Sequence, residues 1–258
     1  MKRFGLTIAL VVVIGLLAPN AAHADPIAKV SKLKGDLTIS AASSLTDVFT
    51  ELAKQFRKDN KGAKVRLNFG STSTLVAQIQ SGAPSDVLAS ADLTSIEKLV
   101  ASGNVVVAPK VFARNTMAIA VKPGNPRAVR SVGDLASLRF VALCGKTVPC
   151  GVYASSVLTR AGVSLIESKV TRGIDVKSTL SAVANGDADA AIVYKTDVLA
   201  AKKIVLGIDI PSAQNVQAMY GIAPIRGSKN FTNAKSFIDF VLSAQGLQIL
   251  RSFGFQRP

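Results

Sequence analysis

The stretch LTISAASSLTDVFTELAKQFRKDNKGAKVRLNF, residues 37–69, carries two hydrophobic periods in succession. Leu37-Thr38-Ile39-Ser40 alternates apolar and polar side chains, the two-residue repeat of a strand. From Leu45 the apolar positions Leu45, Val48, Phe49, Leu52 and Phe56 recur at threes and fours, so they share one face of a helix. Val65, Leu67 and Phe69 then alternate again as a strand. Strand and helix in turn predict an α/β fold whose sheet is parallel and covered on both faces.

The same alternation continues outward. Leu75, Val76 and Ile79 begin a short helix ending near Gly82, Asp86–Ala89 is a buried strand, and Leu93, Ile96, Leu99 and Val100 mark a helix stopped by Gly103. The pattern restarts with a strand over Met117–Val121, a break at Pro123-Gly124-Asn125-Pro126, and a strand over Phe140–Leu143. Tyr153, Val157 and Leu158 lie on a helix closed by Gly162, and Val176, Leu180 and Val183 on another ending at Asn185-Gly186. Ala190–Tyr194, Ile204–Leu206 and Tyr220–Ile225 read as strands, and Phe237, Phe240, Val241, Leu247 and Leu250 as C-terminal helix. No short repeat, low-complexity stretch or Pro-rich linker interrupts this order. Two α/β units without a tether predict lobes joined by strands, with a cleft that captures a ligand by closing.

The N-terminus sets the compartment. Lys2 and Arg3 precede the apolar run Phe4–Ala18, and Ala22-His23-Ala24 places small residues where a signal peptidase reads. Cleavage is expected after Ala24, leaving a soluble protein in the periplasm or outside the cell. The run of 15 residues is short of the roughly 20 that span a bilayer. No cysteine stands in or just after this leader to carry a lipid. The remaining 258 − 24 = 234 residues suit two small domains.

Composition narrows the chemistry. The single histidine, His23, departs with the leader, so the mature chain has none for a His-dependent triad or a His-ligated zinc site. Cys144 and Cys150 form an isolated close pair, which in an oxidising compartment fits a disulfide better than a metal site. An enzyme using Cys150 as nucleophile near Tyr153 would lack a base. Lys and Arg number 31 against 16 acids; without Lys2 and Arg3 the balance is 29 − 16 = +13. The basic residues are scattered, there is no tryptophan, and only three tyrosines could stack on bases. The charge therefore reads as a steering field or a solvated surface, and no nucleic-acid partner is expected.

Four loops precede helices and are rich in hydrogen-bond donors: Ala41–Asp47, Phe69–Leu75, Val148–Tyr153 entering a helix near Val152, and Gly173–Val176. Helix N-termini present free backbone N–H groups and the positive end of the dipole, so several facing one cleft make an anion site without lysine or arginine. A fully deprotonated tetrahedral oxyanion has only acceptors and wants donors on every side. An oxyanion that keeps a proton also wants a carboxylate. Each loop alone has a plainer explanation: Ser44 reads as an N-cap with Asp47 completing a capping box, Asp175 as another cap, and Tyr194 as a core residue.

Taken together these segments resemble the periplasmic molybdate-binding proteins of ABC importers, which have the two-lobed type II periplasmic binding protein fold. The markers are Ala42-Ser43-Ser44-Leu45-Thr46-Asp47, Phe69-Gly70-Ser71-Thr72-Ser73-Thr74-Leu75, Gly82-Ala83-Pro84-Ser85-Asp86-Val87, Val148-Pro149-Cys150-Gly151-Val152-Tyr153 and Gly186–Tyr194. The resemblance runs from Leu37 to Phe255. It implies that Ser44, Thr72 (where a serine is usual), Cys150 (often alanine, donating its amide), Val176 and Tyr194 bind an oxyanion. It also implies that Cys144 and Cys150 could tie the third loop by a disulfide. One lobe would hold residues 25–113 and 219–258, the other 114–218. The function implied is capture of molybdate or tungstate by a monomer and delivery to an importer permease, with no cofactor and no reaction. A receptor for sulfate or another tetrahedral oxyanion is the alternative.

Overall fold

The computed structural model describes residues 34–258 together with Met1, so the expected leader and its cleavage after Ala24 lie outside the described residues apart from Met1. The stretch containing residues 37–69 folds as β1 (Lys34–Ala42), α1 (Thr46–Asp59) and β2 (Gly62–Gly70). β1 and β2 pair in parallel, with Leu37 opposite Val65 and Ile39 opposite Leu67. Then follow α2 (Thr72–Gln80), β3 (Val87–Ser90), α3 (Leu93–Ala101) and β4 (Lys110–Val121). The middle comprises β5 (Val141–Cys144), α4 (Pro149–Arg160), β6 (Val170–Gly173) and α5 (Val176–Asn185). β7 (Ala190–Tyr194), α6 (Lys195–Ala200), β8 (Leu206–Asp209), β9 (Gln217–Pro224), α7 (Phe231–Leu242) and α8 (Ala244–Ser252) complete the order.

The strands run β2-β1-β3-β9-β4-β7-β5-β6, with β8 added on β4. Pairing is parallel among β1, β2 and β3 and among β5, β6 and β7, as helical crossovers require. The sheet as a whole is mixed, because β9 lies antiparallel to β3 and β4, and β4 antiparallel to β7. β4 is the long seam: Lys110–Thr116 pair with β9, while Met117–Val121 pair with β7 and β8.

β3, β5 and β7 are buried along their whole length, the mark of strands covered on both faces. Phe49 of α1 packs against Phe112 and against Phe237 of α7, and Phe56 of α1 against Phe237, as tilted or edge-on pairs with centroids 5.2–6.1 Å apart. Burying each such ring contributes roughly 1.5–3 kcal/mol. Leu75, Val76, Ile79, Ile96 and Leu99 bring α2 and α3 onto Leu88 of β3 in a separate cluster.

Three local expectations change. The C-terminal helix is two helices, because Ser243 ends α7 and caps α8, accepting from the Gly246 amide at 3.2 Å. α4 begins at Pro149 rather than near Val152, proline suiting a first-turn position whose N–H would be unpaired. The strand expected over Ile204–Leu206 lies at Leu206–Asp209, set by pairing with β4. Among the described residues no helix is long and apolar enough to cross a membrane.

Candidate functional site

Ser44, Thr72, Cys150, Val176 and Tyr194 line one cavity, together with Ala42, Ser43, Gly70, Ser71, Ala91, Pro149 and Asp175. All five residues singled out in the sequence are thus brought together. They arrive from the C-terminal ends of β1, β2, β5, β6 and β7, where the chain turns into a helix each time. That is where open α/β sheets place ligands.

The helix starts are held close by backbone contacts. The Gly145 amide donates to the Gly173 carbonyl at 2.8 Å, joining the turn before α4 to the turn before α5. Arg172 donates to the Cys144 carbonyl at 3.0 Å while a second and third nitrogen bind Glu167 at 3.0 and 2.9 Å. Cys144 and Cys150 are joined as a disulfide with Cα atoms 5.7 Å apart, tying the end of β5 to the first turn of α4. Among the described residues no group of three or more metal-ligating side chains occurs.

Thr72 is the first residue of α2, Cys150 the second of α4 and Val176 the first of α5. Their amides have no acceptor within their own helices. The side chains divide into caps and others. Ser71 caps α2, accepting from the Thr74 amide at 3.2 Å, and Asp175 caps α5 in a capping box with Ser178. Asp175 therefore takes the role its sequence context predicts. Ser44 does not: it sits in a 3-10 turn, Ser43–Leu45, and α1 has Leu45 at its N-cap with no side-chain cap. Its hydroxyl instead meets the Tyr220 hydroxyl at 3.1 Å. Asp47 is not a cap either and accepts from Lys177 at 2.8 Å.

No lysine or arginine lines the cavity, and its one acidic side chain, Asp175, accepts from the Ser178 amide at 2.8 Å. The Tyr194 hydroxyl is buried and, among the described residues, has no hydrogen-bond partner. Burial, with Tyr220 next in weight, holds its ionisation well above the ordinary phenol range, so it stays a protonated donor. Leaving a buried hydroxyl unpaired costs about 1–3 kcal/mol. The cavity measures about 10 Å³, near the ~10–15 Å³ that one water needs. A tetrahedral oxyanion exceeds one water, and its entry requires the walls to part.

Two contacts cross between the walls. Ser73 of α2 donates to the Thr147 carbonyl at 2.9 Å, and Lys177 of α5 reaches Asp47 of α1. Sequence reasoning missed these, and it missed Tyr220 and Asn115 behind Ser44. Tyr220 read as strand core, and Asn115 lies in the part of β4 before the apolar run. The Gly82–Val87 marker stands away from the cavity: Asp86 accepts from the Thr38 amide at 2.7 Å and from Ser228 at 2.5 Å, tying β1 to the segment after β9.

The molybdate-binding protein ModA of Mycobacterium tuberculosis is 33% identical to this chain over 264 residues, covering 100% of each. The periplasmic molybdate-binding protein of Azotobacter vinelandii matches in structure with a TM-score of 0.77 at 25% identity, over 86% of this chain and 99% of that one. The sulfate-binding protein SubI of Mycobacterium tuberculosis gives a TM-score of 0.78 at 16% identity over 86% of each chain, a likeness of fold alone. A family model described as bacterial extracellular solute-binding protein matches residues 37–256, nearly all of the described chain. The chain belongs to this family of solute-binding proteins, which bind their solutes rather than transform them.

Proposed function

We propose that this protein captures molybdate or tungstate in the cavity between the starts of α2, α4 and α5 and delivers it to an ABC importer. The observation that carries the reading is the Tyr194 hydroxyl, buried and unpartnered in a cavity walled by helix N-termini. Ser44, Thr72 and Tyr194 supply hydroxyls, and Thr72, Cys150 and Val176 supply amides. This donor-rich set suits an ion with acceptors only. The relatives named above as molybdate-binding proteins support the same solute. Of the expected spans 25–113 with 219–258 and 114–218, the described residues 34–113 with 219–258 act as one lobe and 114–218 as the other, residues 25–33 lying outside the described residues. The Ser73 and Lys177 contacts then bridge the two lobes in the closed form, which the permease reads. The protein works as a monomer after removal of its leader, and its net positive charge draws the anion in.

All three tyrosines of the chain stand at this site: Tyr153 and Tyr220 flank Tyr194 with ring centroids 6.2 and 5.8 Å away. With no tryptophan present, the near-ultraviolet spectrum reports on this cluster. Molybdate and tungstate should each produce a saturable one-to-one tyrosine difference spectrum. Saturation by sulfate at lower concentration than molybdate would reassign the solute, and a flat response to every oxyanion would refute the site.

A further inference from the structure

Resting on the oxyanion reading above, we propose that Asn115 and Tyr220 are positioning residues that force the Ser44 hydroxyl to act as a donor toward the cavity. The wiring begins at a backbone group whose polarity is fixed. The Thr116 amide donates to Asn115 Oδ1 at 2.9 Å, which settles the orientation of the side-chain amide. Asn115 Nδ2 then faces Thr196 Oγ1 at 2.8 Å and the Tyr220 oxygen at 3.4 Å, giving one proton to each. Tyr220 receives a proton from behind and directs its own at Ser44 Oγ, 3.1 Å away. Burial, with Asp197 next in weight, keeps the Tyr220 phenol above its ordinary range, so that proton stays in place. Ser44 Oγ accepts it, and its own hydrogen points onward into the cavity that Ser44 lines.

The other two hydroxyls end in the same polarity. Thr72 Oγ1 accepts from the Ala91 amide at 3.1 Å, which leaves its hydrogen for the cavity. Tyr194 has no competing acceptor among the described residues. Serine and threonine hydroxyls ordinarily rotate to accept or donate as a ligand demands. Here two of them already accept from donors behind them, which turns their hydrogens toward the cavity and favours oxyanions that carry no proton. The Tyr220 hydroxyl reaches the cavity only through Ser44, while its ring packs edge-on against Tyr194 at 5.8 Å, a contact that phenylalanine keeps; Tyr220 is fully buried on β9, which pairs with β4.

The test is a double-mutant cycle on the full mature chain, titrated calorimetrically with molybdate, tungstate, sulfate and arsenate, the last of which keeps a proton near neutral pH. Tyr220→Phe in the wild-type background should weaken binding of the preferred oxyanion about tenfold and narrow its preference over arsenate. In a Ser44→Ala background the same change should have no further effect on either quantity, because the Tyr220 hydroxyl it removes acts only through Ser44. Asn115→Ala provides a second entry to the cycle should Tyr220→Phe fail to fold, as judged by circular dichroism. An equal penalty in both backgrounds, with the preference unmoved, would overturn this inference alone. A wild type silent to all four ions would overturn it together with the reading it rests on.

Discussion

Replacing Tyr194 by phenylalanine should move stability and affinity in opposite directions. The hydroxyl is buried at the end of β7 and has no hydrogen-bond partner among the described residues, while the ring packs edge-on against Tyr153 and Tyr220. Phenylalanine keeps the ring and removes only the unpaired oxygen. In the ligand-free protein this relieves a desolvation penalty of about 1–3 kcal/mol. For a domain of this size each kcal/mol moves the midpoint roughly 2–4 °C, so the variant should melt a few degrees higher. In the bound protein the same oxygen would donate to a charged oxyanion, a bond worth roughly 1.5–3 kcal/mol. Its loss should therefore weaken molybdate binding by about ten- to a hundredfold. Differential scanning calorimetry without ligand gives the first quantity and a titration gives the second. A Tyr194→Phe protein that melts lower than wild type without ligand would refute the reasoning, because its hydroxyl would then have a partner in the resting fold. Unchanged affinity would remove Tyr194 from the site.

Gly151 lies in the first turn of α4, where an added Cβ would sit 2.0 Å from the Gly145 carbonyl oxygen and 3.0 Å from that of Cys144. Gly151→Ala must push the helix start off the β5 turn, with an expected loss of about 1–3 kcal/mol in stability and at least tenfold in molybdate affinity; wild-type affinity would mean the Cys150 amide is not a donor. Asp197 is fully buried beside Lys177, whose nitrogen is 3.9 Å away, and burial pushes its carboxyl up to about 7 against the pull of that lysine. The folded state thus holds this proton more tightly than the unfolded chain, so stability should fall as pH rises from 5 to 7, by as much as roughly 2–3 kcal/mol. Asp197→Asn should flatten the decline in melting temperature between pH 5 and pH 8, and an equal decline in both proteins would contradict the assignment. The disulfide closes a loop of sequence separation 6, for which chain entropy gives about 2 kcal/mol. The double change Cys144→Ala, Cys150→Ala should lower stability by that amount in a denaturant titration yet keep most of the molybdate affinity, since the ligand would use only an amide; loss of binding in a folded variant would assign the sulfur a role.

The periods in residues 37–103 were enough to place β1 to α3, because each apolar stripe there packs on one face of one element. The antiparallel β9 was not legible: alternation marks a strand but says nothing of its direction or neighbours. β6, Val170-Thr171-Arg172-Gly173, has a single large apolar residue and owes its place to pairing with β5. α6 is six residues long and too short for a helical period to show. At the site, the loops before α2, α4 and α5 were visible because serine, threonine, glycine and proline before an apolar period announce a helix start. Ser44 looked like a cap and is not one, since the 3-10 turn moves the N-cap of α1 along by one residue, to Leu45. Asn115, Tyr220 and Lys177 act through partners more than forty positions away in sequence, and such contacts leave no local pattern.

In the function proposed above, one cavity of this chain opens to hold a fully deprotonated tetrahedral oxyanion of molybdate size. Isothermal titration calorimetry of the mature protein with molybdate, tungstate, sulfate and phosphate under one buffer tests it directly. Molybdate and tungstate should bind tightly and one-to-one, with phosphate silent and sulfate far weaker. Binding of phosphate as strong as that of molybdate, or no heat from any of the four ions, would contradict it.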